Sequence, residues 1–310
     1  MPLGTGMLKA ADRAHEIGAE AIQIFADNPT AWRRRSGPPV EQAAFRTRLE
    51  IHGIAPLAIH AAYLVNLAGP DDDFWDRSVA MLAHELRTGP GFGARFVNVH
   101  IGSHRGAGVA TGIARIADGV ACVMAAIDRT PETPMLVLEN SAGGGSGLGA
   151  TVDELDAIAE AIESRGVGRQ LVGFCLDTAH AWGAGHDFRD PEATDRFLED
   201  FDARIGMDRL AMVHLNDSKS ELGSHTDRHE HIGAGHIGQA GMAYLLRHPL
   251  LTGAAHFVET PGMDEGYDAI NLERARRLAA GVALDPLPPG AMEVRGSRSR
   301  SAPPAGPDDA

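Results

Sequence analysis

Apolar residues along this chain come in short dense runs separated by longer amphipathic stretches. The runs cover residues 21–25, 57–60, 96–100, 135–139, 172–177, 210–214 and 256–259. Each is short, largely unalternating and rich in branched side chains, as expected of strands buried on both faces. Between them lie stretches with helical spacing, at 8–18, 71–88, 111–128, 151–164, 193–204, 239–247 and 272–280. Thr151 and Glu154 have the capping-box spacing that opens a helix. Strand and helix alternate throughout, which predicts a parallel sheet with helical crossovers. Seven such units in about 280 residues suit a (β/α)8 barrel of the TIM type better than a doubly wound sheet.

A barrel of that type wants eight strands. The eighth should precede the helix at 8–18, where only Met1 to Thr5 remains. The first strand is therefore expected to be missing or truncated, leaving its two neighbours with unpaired edges. After residue 283 the composition turns to proline, glycine, serine and charge. Residues 1–283 are read as one barrel domain and 284–310 as a disordered tail.

Composition adds limits. Hydrophobic residues make up 44% and charged residues 23% of the 310, as in ordinary soluble domains. No apolar run is long enough to span a bilayer, and the N-terminus lacks a signal-peptide core. Cys122 and Cys175 cannot form a disulfide framework, so a cytoplasmic location is expected. A net charge of −14 argues against a broad nucleic-acid-coating surface, although it says little about a local site.

The chemistry concentrates at the strand ends. His60, His100, Glu139, Asp177, His214 and Glu259 close six successive strands. That rim is where barrel enzymes assemble their sites. His180, Asp227 and His229 follow close by, the last two in a stretch (214–238) holding five histidines. Any one of these alone reads as a hydrogen-bonded core histidine or a helix cap. Together, five imidazoles and four carboxylates form a nitrogen and oxygen donor set suited to zinc, manganese or iron. Nine donors are too many for one ion. Several divalent cations would make the pocket positive and attractive to a phosphodiester despite the acidic chain.

The motifs IHAAYLVNLAGP (59–70), VNVHIGSH (97–104), VLENSAGGGSGLG (137–149), GFCLDTAHAWGAGHD (173–187), HLNDSKSELGSHTDRHEHIGAGHIG (214–238) and FVETPG (257–262) resemble, in order, those of the endonuclease IV family of apurinic/apyrimidinic (AP) endonucleases. The resemblance implies three zinc ions, with manganese possible. His60, His100 and Glu139 would hold the first. Glu139 would bridge to the second, held also by Asp177, His214 and Glu259. His180, Asp227 and His229 would hold the third. It further implies hydrolysis of the phosphodiester 5′ to an abasic site in duplex DNA, leaving a 3′-hydroxyl and a 5′-deoxyribose phosphate, and trimming of blocked 3′ ends. The role it implies is base-excision repair by a monomer, expected to associate with the nucleoid while it works. Glu259 and Glu139 are the candidate catalytic carboxylates. Tyr63 and Leu64 match a loop that fills the gap left by the extruded nucleotide, while Arg33 and Lys219 are candidate phosphate contacts. Arg34 and Arg35 extend that charge run. Thr30 stands where some relatives carry an arginine that enters the DNA stack. His104, Asn140 and Ser141 are expected to position other groups, and His186, His225, His231 and His236 to be mostly solvated. The family's first strand carries a G-x-H-x-S motif that MPLGTG does not match. Two alternatives remain: a divalent-metal sugar isomerase or epimerase on the same barrel, and a damage-binding protein that no longer cuts.

Overall fold

A computed structural model of the chain describes residues 1–294. In chain order it runs α1 (Met7–Glu16), β1 (Ile22–Ile24), α2 (Gln42–His52), β2 (Leu57–His60), α3 (Asp72–Phe92), β3 (Ala94–His100), α4 (Val109–Ala125), β4 (Met135–Glu139), α5 (Val152–Ser164) and β5 (Val172–Asp177). There follow α6 (Thr178–Ala184), α7 (Pro191–Arg204), β6 (Leu210–His214), β7 (Asp217–Ser218), β8 (His229–Glu230), α8 (Gly238–Arg247), β9 (Ala255–Phe257) and α9 (Tyr267–Ala279). The sheet order is β1-β2-β3-β4-β5-β6-β9, parallel throughout, while β7 and β8 form a separate antiparallel pair. The seven expected barrel strands are present, with the helices outside.

Strand periodicity sorts the side chains. Ala58, Phe96, Val137, Cys175, Met212 and Phe257 form one buried cluster inside the ring. The residues two positions on are His60, Asn98, Glu139, Asp177, His214 and Glu259. Alternation puts each pair on the same face, so an apolar floor lies beneath a layer of polar ends. The other face of the strands carries Ile24, Ile59, Val97, Leu138, Leu176 and Val213, packed within the larger core that includes the helices.

Three differences from the sequence reading have local causes. Periodicity does not predict helix α2, because Phe45 and Leu49 are the main apolar side chains it buries. Helix α6 begins directly at the Asp177–His180 turn: the Asp177 side chain accepts the amide N–H of His180 at 2.9 Å and so caps the helix. Helix α3 runs through Pro90 to Phe92, beyond its expected end at residue 88. A fourth difference concerns the tail. Residues 284–294 lie against the barrel: the main-chain oxygens of Asp285 and Ala291 accept from Arg274 (2.8 Å) and His231 (3.1 Å), and Ala291 and Val294 are buried. Residues 295–310 lie outside the described residues.

The ring does not close. Strands β1 and β9 do not pair, and between them runs a cavity of about 780 Å³. Ile22, Leu246, Ala255, Phe257, Leu272 and Ala275 line its lower part, and it continues up to the polar rim. The terminal ammonium of Met1 donates to the main-chain oxygen of Gln23 at 2.5 Å along this seam. An added strand there would pair both edges and bury two or three apolar side chains, at about 1.5–3 kcal/mol each. A version of the chain with an apolar strand fused ahead of Met1 should melt roughly 5 °C or more higher by calorimetry. An unchanged midpoint would show that the seam does not limit stability.

Candidate metal centre

The rim places Glu139 at its middle, fully enclosed. Its Oε2 lies 3.6 Å from Nε2 of His60 and 3.7 Å from Nε2 of His100. Its Oε1 lies 3.2 Å from Nδ1 of His214. Glu139 and Asp177, at the ends of β4 and β5, are both fully buried, a burial that charge tolerates only with partners.

The sequence-predicted donors converge in three overlapping groups. His60, His100 and Glu139 form one; Glu139, Asp177, His214 and Glu259 a second; Asp177, His180 and His229 a third. Within each, one donor atom per residue lies within 4.8 Å of the others. Asp227 joins the third group, with Oδ2 3.2 Å from Nε2 of His180 and Oδ1 3.0 Å from Nε2 of His229. The β7–β8 pair delivers Asp227 and His229: Asp217 pairs with Glu230 and Ser218 with His229. Asp217 itself is buried and accepts main-chain N–H groups of Ser218, Gly235 and Ile237, which fixes the loop. Burial pushes the Asp217 carboxyl up to about 6 despite these bonds.

The donor chemistry fits divalent cations. Nε2 of His229 is buried, close to Asp227 and Asp177, yet has hydrogen-bond geometry to no group among the described residues. That atom faces a point shared by the two carboxylates, where an ion would replace its proton. Cys175 sits near Glu139 and His214, but burial pushes its thiol up to about 12, and it stays protonated. The set remains one of nitrogen and oxygen.

The charges are tightly balanced. Burial raises the Glu259 carboxyl, but His214 beside it outweighs that and holds it at about 2. The same opposition holds Glu139 well below the usual range. Burial favours neutral His229, yet Asp177 and Asp227 raise it to about 9. His180 and His214 are raised well above their ordinary value, against burial, by Asp177 and by Glu259 and Glu139 respectively. The pocket is thus built to hold positive charge.

Amides that carry no signal of their own in the sequence hold the donors in place. Asn98 Nδ2 donates to Glu139 Oε2 at 2.5 Å, and Asn216 Nδ2 donates to Asp177 Oδ2 at 2.7 Å. Asn216 Oδ1 also accepts the amide N–H of Glu259. Gln23 touches both Glu259 and His214. Asn98 and Gln23 share one trait, a lone amide inside an apolar strand. Asn140, expected to position other groups, clasps the main chain of Asp177 and accepts from His180 Nδ1. Ser141 and His104 accept from nearby glycine amides and shape loops.

The surface candidates are more scattered. Tyr63 is 57% exposed, with its ring 5.6 Å from His60 and 6.2 Å from His100. Leu64 beside it is half-buried, and Arg33 is exposed. Arg34 turns inward, donating to the main-chain oxygen of Ala31 at 2.6 Å, and Arg35 pairs with Asp27 at 3.0 Å. Those two therefore brace their own loop. Nζ of Lys219 is covered and has no hydrogen-bond partner among the described residues. Thr30 is exposed, its N–H and hydroxyl both bonded to Asn28 Oδ1. His231 is buried between Ala291 and Asn271, contrary to the expected solvation, and His186 is half-buried; His225 and His236 are exposed.

The model of the xylose isomerase-like TIM barrel family matches residues 11–283. A probable endonuclease 4 of Methanoculleus marisnigri is 40% identical over 272 residues, covering 87% of this chain and 94% of that protein. The chain belongs to the endonuclease IV family. With it the chain joins the nucleolytic hydrolases. The crystal structure of endonuclease IV from Thermus thermophilus superposes with a TM-score of 0.76 at 36% identity, covering 91% of this chain and 98% of that one. A D-tagatose 3-epimerase-like protein shares the fold alone, with a TM-score of 0.64 at 17% identity over 88% of this chain and 94% of that one.

In this endonuclease IV family member, metal must compete with protons for the raised imidazoles. Zinc affinity, measured by chelator competition, should keep rising with pH up to at least about 9, because His229 holds its proton up to about 9 and His180 and His214 are raised as well. A flat profile over that range would contradict the assigned centre.

Proposed function

We propose that the chain is a zinc-dependent AP endonuclease that hydrolyses the phosphodiester 5′ to an abasic site in duplex DNA. The products would be a 3′-hydroxyl and a 5′-deoxyribose phosphate, and the same centre would trim blocked 3′ ends during base-excision repair. The observation that carries this reading is the convergence of His180, Asp227 and His229 beside the paired groups around Glu139. Three adjoining sites suit a phosphodiester, which needs its nucleophile, its non-bridging oxygens and its leaving oxygen all stabilised. His60, His100 and Glu139 would hold one ion, Glu139, Asp177, His214 and Glu259 the second, and His180, Asp227 and His229 the third. Manganese could replace zinc in this donor set. When bound, the ions would supply Lewis acidity, lowering the pKa of water and screening the phosphate charge.

The remaining work falls to side chains. Glu139 is enclosed on every side, whereas the Glu259 side chain is 28% exposed and borders the cavity. Both would bind metal, and Glu259, the more open of the two, would be the one to orient or accept a proton from an attacking water, while Glu139 would bridge. Turning the abasic nucleotide out costs little stacking energy. Tyr63, whose ring lies beside those of His60 and His100, would occupy the gap with Leu64. Arg33, which is exposed, would meet phosphate, with Lys219 a further contact. Among the described residues no helix is long and apolar enough to cross a membrane, and we place the enzyme in the cytoplasm, at the nucleoid during repair, as a monomer.

Pure protein with a duplex carrying one abasic-site analogue should give a single cut 5′ to the lesion on a denaturing gel, abolished by chelator. No cut by zinc-replete protein would overturn the reading, and conversion of a ketose to its epimer instead would favour the sugar-epimerising alternative. Asp177→Asn and Glu259→Gln should each slow cutting by at least about 100-fold while DNA binding persists. Thr30→Arg is expected to tighten binding to abasic DNA in a gel-shift titration; unchanged affinity would show that the loop at 25–35 does not enter the stack.

A further inference from the structure

We propose that Gln23 is a positioning residue for the metal site formed by His214 and Glu259. The inference rests on the reading of those residues as metal ligands. A ligating histidine ordinarily gives its second ring N–H to a fixed acceptor, which sets its tautomer and aims its lone pair. Among the described residues, His60, His180 and His229 do this with main-chain oxygens: those of Ala61 at 2.7 Å, Asn140 at 2.9 Å and Glu259 at 2.9 Å. His214 does it with a side chain. Its Nε2 lies 3.1 Å from Oε1 of Gln23.

The other end of the amide settles its orientation. Gln23 Nε2 donates to Glu259 Oε1 at 2.7 Å. A carboxylate can only accept, so the amide nitrogen must face Glu259 and the oxygen must face His214. Nε2 of His214 is then fixed as a donor to Gln23, and Nδ1, 3.2 Å from both Glu139 Oε1 and Glu259 Oε2, is the atom left to face the centre, where an ion would displace its proton. One amide therefore fixes the tautomer of one ligand and occupies one oxygen of another, leaving Glu259 Oε2 for the ion. The side chain comes from the middle of β1, whose neighbours Ile22 and Ile24 face the opposite side and pack in the outer core. Nothing in its setting needs an amide for packing.

The test compares wild type with Gln23→Met, similar in volume, and Gln23→Glu, which can accept from His214 but cannot donate to Glu259. Each is stripped of metal, its melting recorded, and then titrated with zinc against a chromophoric chelator and with cobalt followed by visible absorption. The metal-free variants should stay folded and melt at most about 5 °C lower, the cost of one hydrogen bond across the seam. One class of site should weaken by about 10–100-fold in Gln23→Met, with a smaller loss in Gln23→Glu, and the remaining sites should match wild type. Equal affinity at every site, or an equal loss at all of them, would overturn the proposal. A wild-type protein that takes up no metal would instead sink the reading of the centre itself.

Discussion

The burial of Glu139 is the constraint on which the rim depends. A carboxylate removed from water costs several kcal/mol. At an effective dielectric of about 20, one opposite charge about 4 Å away returns about 4 kcal/mol. Glu139 has His60, His100 and His214 within 3.2–3.7 Å and a donated bond from Asn98. Positive charge in this centre, whether from protons or metal, is thus a condition of the fold as well as of the chemistry. The strands beneath tolerate the arrangement because their lower layer is apolar, from Ala58 to Phe257.

The rim loops extend the same logic outward. Tyr63 N–H bonds to the main-chain oxygen of Pro29, tying the loop after β2 to the loop after β1. Trp182 Nε1 donates to the main-chain oxygen of Ser220 at 2.8 Å, and His225 Nδ1 pairs with that of Ala142 at 3.0 Å. The loops after β1 and β2 are therefore tied to each other, and so are those after β4, β5 and β6. Within the loop after β1, Arg34 and Arg35 add ties to Ala31 and Asp27.

Much of this is legible in the sequence because barrel chemistry follows strand ends. His60, Glu139, Asp177 and His214 are each the last residue of a strand, so an apolar run ending in a donor is enough to find them. Asp227 and His229 stand out as a triplet in an otherwise unexplained histidine-rich stretch. The supporting amides do not, since Gln23, Asn98 and Asn216 carry no metal-ligand signature and matter only through what they touch. Residues 284–294 escape a compositional reading for a related reason. Their docking uses main-chain oxygens, and composition says nothing about those.

The seam between β1 and β9 gives the Gln23 amide another meaning. Gln23 belongs to one edge and Glu259 lies just past the other, so their 2.7 Å bond spans the opening. It acts as a clasp on an incomplete hoop. Whatever holds Glu259 and His214 still also holds the two edges at a fixed spacing, and whatever lets the edges spread loosens both ligands. Binding at the centre and the spacing of the seam are then linked through that one bond.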